Sequence, residues 1–451
     1  MNIALVILAA GKGTRMNSDL PKVLHPLAGA PLLVHAMQAV GNLAPERTVV
    51  VAGHGAEQVR AAALGHNPTA QVVIQDEQLG TAHAVDQAQA ALQGFDGDVV
   101  VLYGDTPFLQ SGTLARMLAA RADHDVVVLG FDIAELQPRY GRLIMEGDRL
   151  TRIVEYKDAT KDERAIRFTN SGLMACDKET LFDLIAEIGN DNASGEYYLT
   201  DVVALANARG LSVTAVKCPE SETLGVDSRQ DLADAETLFQ SRARAEAFAD
   251  GVTLTSPETV HFAFDTVIGR DAVIEPNVVF GPGVTVESGA TIRAFSHLEG
   301  CHVARGAIVG PYARLRPGTE LSEKTRVGNF VEIKNALIGE GTKINHLSYI
   351  GDATLGQQTN VGAGTITCNY DGVMKHRTEI GDNVFIGSNT MLVAPVHVGD
   401  GAMTGSGSVI TSDVDADALA IARAPQVEKP GMAAKLMQIL KAKKAKLQRG
   451  S

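Results

Sequence analysis

The chain has 451 residues, 45% hydrophobic and 21% charged, enough for two or three domains with sizeable cores. Its net charge of −13 excludes nonspecific nucleic-acid binding by the body of the protein, although a phosphate-bearing small substrate needs only a few local cations. No apolar run reaches membrane-spanning length, and Cys176, Cys218, Cys301 and Cys368 show no metal-type pairing, so the expectation is a cytoplasmic protein with free thiols and no membrane insertion.

Apolar runs at 3–10, 48–53, 72–75, 98–103, 126–131 and 212–217 alternate with helical stretches up to about residue 226. This predicts a Rossmann-like, doubly wound α/β sheet whose ligands sit beyond the carboxyl ends of the strands. The first run leads into Gly11-Lys12-Gly13-Thr14-Arg15-Met16, a turn whose backbone N–H groups can approach a phosphate closely. Rossmann spacing fails because Met16 stands where the third glycine belongs, and the Walker pattern fails because Gly13 follows Gly11-Lys12. Asp105 follows a buried strand, where a carboxylate needs a cation such as Mg²⁺; the competing reading is a turn residue before Pro107. The run from Leu8-Ala9-Ala10-Gly11 to Met16, then Pro21-Lys22, Gln78-Leu79-Gly80-Thr81 and Tyr103-Gly104-Asp105, resembles the sugar-nucleotide pyrophosphorylases in spacing and order.

From Ser228 to Phe248 the sequence is Ala-rich, charged and free of Gly and Pro, which predicts a linker helix closed by Asp250-Gly251. Beyond it, apolar residues recur every six positions at Ile268, Ile274, Phe280, Val286, Ile292 and Leu298. The frame then shifts to Val309, Leu315, Leu321, Val327 and Ile333, and later to Ile380, Ile386, Leu392 and Val398, often with glycine next. A helix of period 3.6 cannot keep such a repeat on one face, whereas a coiled parallel β-helix can, with coils stacked at roughly 4.8 Å. Between Val361 and Ile380 the interval exceeds three hexads by one residue, so a loop is expected to leave the coil there. The chain ends in a tail, residues 429–451, with seven basic residues and no acidic one. It reads as a solvated tail with a short amphipathic helix around Leu436, Ile439 and Leu440; contact with a phosphorylated ligand or a neighbouring subunit is the other reading.

Taken together, the motifs over nearly the whole chain resemble the bacterial family of bifunctional N-acetylglucosamine-1-phosphate uridylyltransferase/glucosamine-1-phosphate N-acetyltransferases. The resemblance implies a nucleotidyltransferase domain at 1–229, a linker helix at 230–250, and a left-handed hexapeptide-repeat β-helix at 251–451 whose basic tail starts near 427. It implies that Arg15 and Lys22 contact the triphosphate of UTP and that Leu8, Ala9, Ala10, Gly11, Tyr103 and Gly104 line the substrate site. Gln75, Gly80 and Thr81 would hold the uracil, and Gly141, Glu155 and Asn170 the sugar. Asp105 and Asp227 would carry Mg²⁺, with Asp227 departing from the Asn usual in the family. In the second domain it implies Arg316, Lys334, Tyr349 and Asn360 as sugar-phosphate ligands. His346 would be the general base, and Ala363, Asn369, Tyr370, Ser388, Ser406 and Arg423 would surround acetyl-CoA in a homotrimer. The residue types suit that chemistry: Arg and Lys neutralise a phosphate, His titrates near neutrality, and Asn and Tyr can serve a developing oxyanion.

Three other readings stay open on sequence. The β-helix could serve only as an oligomerisation scaffold for a monofunctional nucleotidyltransferase. His261, His297 and His302 could hold zinc. The chain could also bind sugar nucleotides without turnover.

Overall fold

A computed structural model describes residues 2–41, 43–136 and 140–449; the final two positions of the basic tail, 450 and 451, lie outside the described residues. Two compact units emerge, Met1–Glu246 with Phe262–Asp265, and Ala247–His261 with Thr266–Ser451.

The first unit is built on a nine-stranded sheet. Its strands are β1 (Ile3–Ala9), β2 (Arg47–Ala52), β3 (Gln71–Ile74), β4 (Asp98–Tyr103), β5 (Val126–Asp132), β6 (Arg142–Glu146), β7 (Arg149–Val154), β8 (Phe168–Asp177) and β9 (Val213–Lys217). The order is β9-β5-β8-β4-β1-β2-β3, with β6 on β8 and β7 on β6. In β1, Ala4, Val6 and Leu8 enter one core while Leu5, Ile7 and Ala9 enter the other. A strand covered on both faces must be apolar throughout, which is why the run shows no polar alternation. The predicted parallel pattern holds for β1 with β2 and β4, β2 with β3, and β5 with β9. Strand β8 is different: it lies antiparallel between β4 and β5, and its register shifts between Asn170 and Met174. Helix α1 (Arg229–Ala249) follows, and its Leu232, Leu238 and Phe239 pack on Leu27, Leu32 and Phe108.

The second unit is a parallel β-helix in which most short strands pair with one 17 or 18 residues on, as in Thr285 with His302 and Phe385 with Met403. Hexad residues from Ile274 to Leu298 and from Val309 to Ile333 are buried in its interior. Three slips of frame are 17-residue coils that drop one position: buried Val303 follows Leu298, Ile338 follows Ile333, and Leu355 follows Ile350. Glycine after the hexad position has a steric cause. A Cβ on Gly328 would stand 2.7 Å from the carbonyl carbon of Asn345 on the next coil, and one on Gly362 would meet Ser388 N at 2.5 Å. Corners are turned by residues in the left-handed region, stacked in columns such as Gly318, Asn335 and Asp352, or Phe295, Tyr312, Phe330 and Leu347. One coil is longer: Asn360 pairs with Phe385, twenty-five residues on. Residues 369–377 therefore leave the prism, a larger excursion than hexad counting indicates. The chain ends in α2 (Met432–Arg449), whose side chains through residue 448 are exposed.

Candidate active sites

In the first unit, a cavity of about 450 Å³ opens at the carboxyl ends of β1, β3 and β4. Leu8, Ala9, Ala10, Gly11, Lys22, Gln75, Gly80, Thr81, Tyr103, Asp105 and Asp227 all line it. Gly13 takes a left-handed φ of 58°, and a Cβ there would stand 2.5 Å from Cβ of Lys22, so glycine lets the turn close over that side chain. The Lys22 ammonium forms ion pairs with Asp105 and, at 2.8 Å, with Asp227, while exposed Arg15 meets Asp227 at 3.0 Å. Burial opposes the Lys22 charge, yet the two carboxylates outweigh it and hold its pKa above 10.5. The cation that the position of Asp105 demands is thus supplied within the chain. Asp227 is fixed from behind, since its N–H donates to the Asp231 carboxylate at the start of α1.

The Gly80 turn is locked to residues 197–199. Ala82 N donates to Tyr197 O at 3.0 Å, Leu199 N donates to Thr81 Oγ1 at 2.9 Å, and buried Gln75 donates to Gly80 O at 3.2 Å. Burial pushes the Tyr103 phenol well above its usual range, so it stays protonated beside Thr81. Gly141, Glu155 and Asn170 form a second group: Asn170 N donates to Gly141 O at 2.8 Å, and a Cβ on Gly141 would lie 3.4 Å from the Glu155 carboxylate. Burial raises the Glu155 pKa, and Asp158 and Asp201 add to it against the Thr200 hydroxyl. Their chain neighbours Tyr140 and Ser171 line the cavity, Ser171 being held by its donation to Leu129 O at 2.8 Å. The register shift in β8 falls here, as bulges beside binding sites commonly do. Tyr140, Ser171, Glu196 and Thr223 are lining residues that sequence reasoning did not single out; for Tyr140 and Ser171 the signal was their place beside Gly141 and Asn170.

In the second unit His346 sits on the coil above Asn329, and its Nδ1 lies 2.9 Å from Asn329 Oδ1. A carbonyl oxygen can only accept, so Nδ1 donates this bond, and in the neutral imidazole that leaves the lone pair on Nε2. Arg316 binds Glu332 at 2.8 Å. The neighbouring Lys375 amine pushes the Lys334 pKa down, and partial desolvation adds to this. Lys375 belongs to the projecting loop and was not predicted; a lone Lys in a polar loop has no spacing signature. Buried Asp352 accepts from Asn335 Nδ2 at 2.6 Å and from Asn369 Nδ2, which anchors the start of the loop. Asp371 anchors its far side by accepting from Val373 N at 2.8 Å, Met374 N at 2.7 Å and His376 Nε2 at 2.7 Å. The Tyr370 hydroxyl donates to Gly372 O at 2.5 Å. Tyr349 lies over Gly351, and Asn360 pairs between Lys343 and Phe385. Ala363, Ser388, Ser406 and Arg423 climb one corner: Ala363 O accepts from Asn389 N at 2.7 Å, Ser388 O from Gly407 N at 2.8 Å, and Ser406 O from the Arg423 guanidinium. As for zinc, His302 is engaged by Glu287 at 3.0 Å and Glu320 at 3.2 Å, and no group of three or more His, Cys, Asp or Glu placed to hold a metal occurs among the described residues. All four cysteines are free thiols.

A phosphate-type turn over a carboxylate-lined cleft, followed by hexad coils, defines a nucleotidyltransferase unit joined to a hexapeptide transferase unit. Residues 5–172 match the MobA-like NTP transferase domain, and residues 265–300 and 377–412 match the bacterial transferase hexapeptide (six repeats). The chain is 71% identical to the bifunctional protein GlmU of Roseobacter denitrificans over the full length of both chains. It is 72% identical to that of Ruegeria pomeroyi over 449 residues, again covering both. The chain belongs to the bifunctional GlmU family. No helix among the described residues is long and apolar enough to cross a membrane.

Proposed function

We propose that the protein makes UDP-N-acetylglucosamine in two steps, acetylating glucosamine-1-phosphate in the second unit and uridylylating the product in the first. The observation that carries the assignment of the base is the bond from His346 Nδ1 to Asn329 Oδ1 at 2.9 Å, and the Arg316 and Lys375 cations gather around Lys334. Those cations and Tyr349 and Asn360 hold the sugar phosphate. The substrate amine attacks the thioester carbonyl carbon of acetyl-CoA while His346 Nε2 takes its proton. The C–S bond then breaks, and the CoA thiolate leaves and is protonated. Asn369 and Tyr370 line the thioester end, and Ala363, Ser388, Ser406 and Arg423 run along the rest of the cofactor. Asn329 positions the imidazole without touching substrate.

In the first unit Gln75, Gly80 and Thr81 hold the uracil, and Gly141, Glu155 and Asn170 the sugar. Arg15 and Lys22 turn to the phosphates as the sugar-1-phosphate oxygen displaces pyrophosphate from the α-phosphorus of UTP. Asp105 and Asp227 share one cation, Lys22, so their oxygens are close enough to serve one Mg²⁺, and the donor set of two carboxylates suits it. Bound there, Mg²⁺ supplies charge neutralisation at the phosphates. Acetyl-CoA shared between subunits of a homotrimer suits the open corner formed by Ser388, Ser406 and Arg423. The free thiols support a cytoplasmic setting.

The test is release of CoA thiol from acetyl-CoA and glucosamine-1-phosphate, run beside pyrophosphate release from UTP and GlcNAc-1-phosphate. His346→Ala should lose the first and keep the second. Thiol release that survives in His346→Ala would remove His346 as the base.

A further inference from the structure

Neither active site uses the last helix. In α2, Met432, Leu436, Ile439, Leu440 and Leu447 fall on one face at helical spacing, and all are exposed, from 41% at Met432 to 68% at Leu447. Lys435 and Lys446 border this stripe on one side and Lys444 on the other, while Lys441 lies opposite. Residues 424–431, between Arg423, which is held at Ser406, and the helix, are exposed throughout. The charge is reversed with respect to the rest of the chain: residues 429–451 carry +7 within a total of −13, leaving −20 for the first 428 residues.

Two occupants suit a basic amphipathic face, an anionic lipid surface or the acidic surface of a second copy. Lys443 decides between them. It lies four residues from both Ile439 and Leu447, in the middle of the apolar stripe. In a protein groove its ammonium would be buried among apolar side chains at high cost unless paired. At a bilayer surface the same lysine extends along its alkyl stem to the headgroup phosphates while its neighbours enter the acyl boundary. We propose that α2 is an interfacial helix that docks the protein on an anionic phospholipid surface without spanning it.

The test is co-sedimentation of the full-length protein with vesicles of phosphatidylglycerol and phosphatidylcholine in equal parts, beside vesicles of phosphatidylcholine alone. Partition onto the anionic vesicles should be at least about tenfold higher and should fall as salt rises from about 50 to about 500 mM. The double variant Leu436→Ser/Leu440→Ser should lose about tenfold of that partition, with melting temperature and both activities unchanged because both side chains are exposed. Equal partition onto the two vesicle types, or full binding by the double variant, would overturn the proposal. So would salt-sensitive self-association that the double variant abolishes while neither protein pellets with vesicles; that outcome would assign the helix to a second copy.

Discussion

Substituting Gly328 by alanine tests how the coil spacing supports the acetyl-transfer site. A Cβ at 328 would lie 2.7 and 2.8 Å from the carbonyl carbon and Cα of Asn345, and closer still to its carbonyl oxygen. Real contacts of this kind need about 3.4 Å or more, so the coil bearing Asn345 and His346 must move by roughly 1 Å. The obstacle is backbone held in a parallel ladder on both sides, which no rotamer change relieves. Overpacking of this severity costs about 3 kcal/mol, at the top of the usual range. For a unit of about 200 residues that lowers the melting temperature by roughly 6–12 °C. Displacing a general base by about 1 Å reduces turnover by about 10²-fold, so CoA thiol release should fall that far while pyrophosphate release is unaffected. Gly289→Ala is the control: its φ is 71°, but no atom lies within 4 Å of the added Cβ, so only the left-handed penalty of about 1–2 kcal/mol applies. Equal melting shifts in the two variants, or a Gly328→Ala enzyme with wild-type thiol release, would refute the steric reasoning.

Three further outcomes are expected. Lys22→Met should cut pyrophosphate release by at least about 10²-fold. Since the folded pKa of Lys22 lies above 10.5, its ion pairs stabilise below that pH and are lost as pH rises through the folded value. The gap between wild-type and variant denaturation midpoints should therefore close in alkali; a constant gap would contradict the ion-pair assignment. Asn329→Leu should lower the kcat of acetyl transfer by about 10–100-fold and alter its pH profile, because His346 loses the acceptor that fixes its tautomer; an unchanged pH profile would mean that Asn329 has only a packing role. Asp371, held down to about 2 by His376 and two backbone N–H groups, stays ionised from pH 5 to 8. Asp371→Ala should therefore raise the KM for glucosamine-1-phosphate by about tenfold or more at every pH in that window, and wild-type KM would free the loop from any role in acceptor binding.

Much of the fold was legible because its signals are periodic. The hexads from Ile274 to Leu298 mark the interior of the prism, and the both-faces-buried run of β1 marks the centre of the sheet. What escaped depends on pairing rather than on period. Strand β8 carries its apolar residues at 173–176, and such a run gives no direction, so its antiparallel insertion was not readable. The slips of frame at Val303, Ile338 and Leu355 look like interruptions in sequence, yet each is one residue dropped while the ladder continues. The contact of Asn329 with His346 was recoverable from the 17-residue coil repeat once that repeat is known. The approach of Lys375 to Lys334 was not, because the course of residues 369–377 is set by Asp352 and Asp371 and by no repeat.

The coil from Asn360 to Phe385 has one more consequence. Its flanking strands pair with their neighbours as if residues 369–377 were missing: Ala353 to Leu355 continue into Thr378 to Ile380, and Ile366 to Cys368 into Met391 to Val393. Scaffold and excursion are therefore written in separate alphabets. The nine letters of the excursion can be rewritten while the strands on either side keep their register.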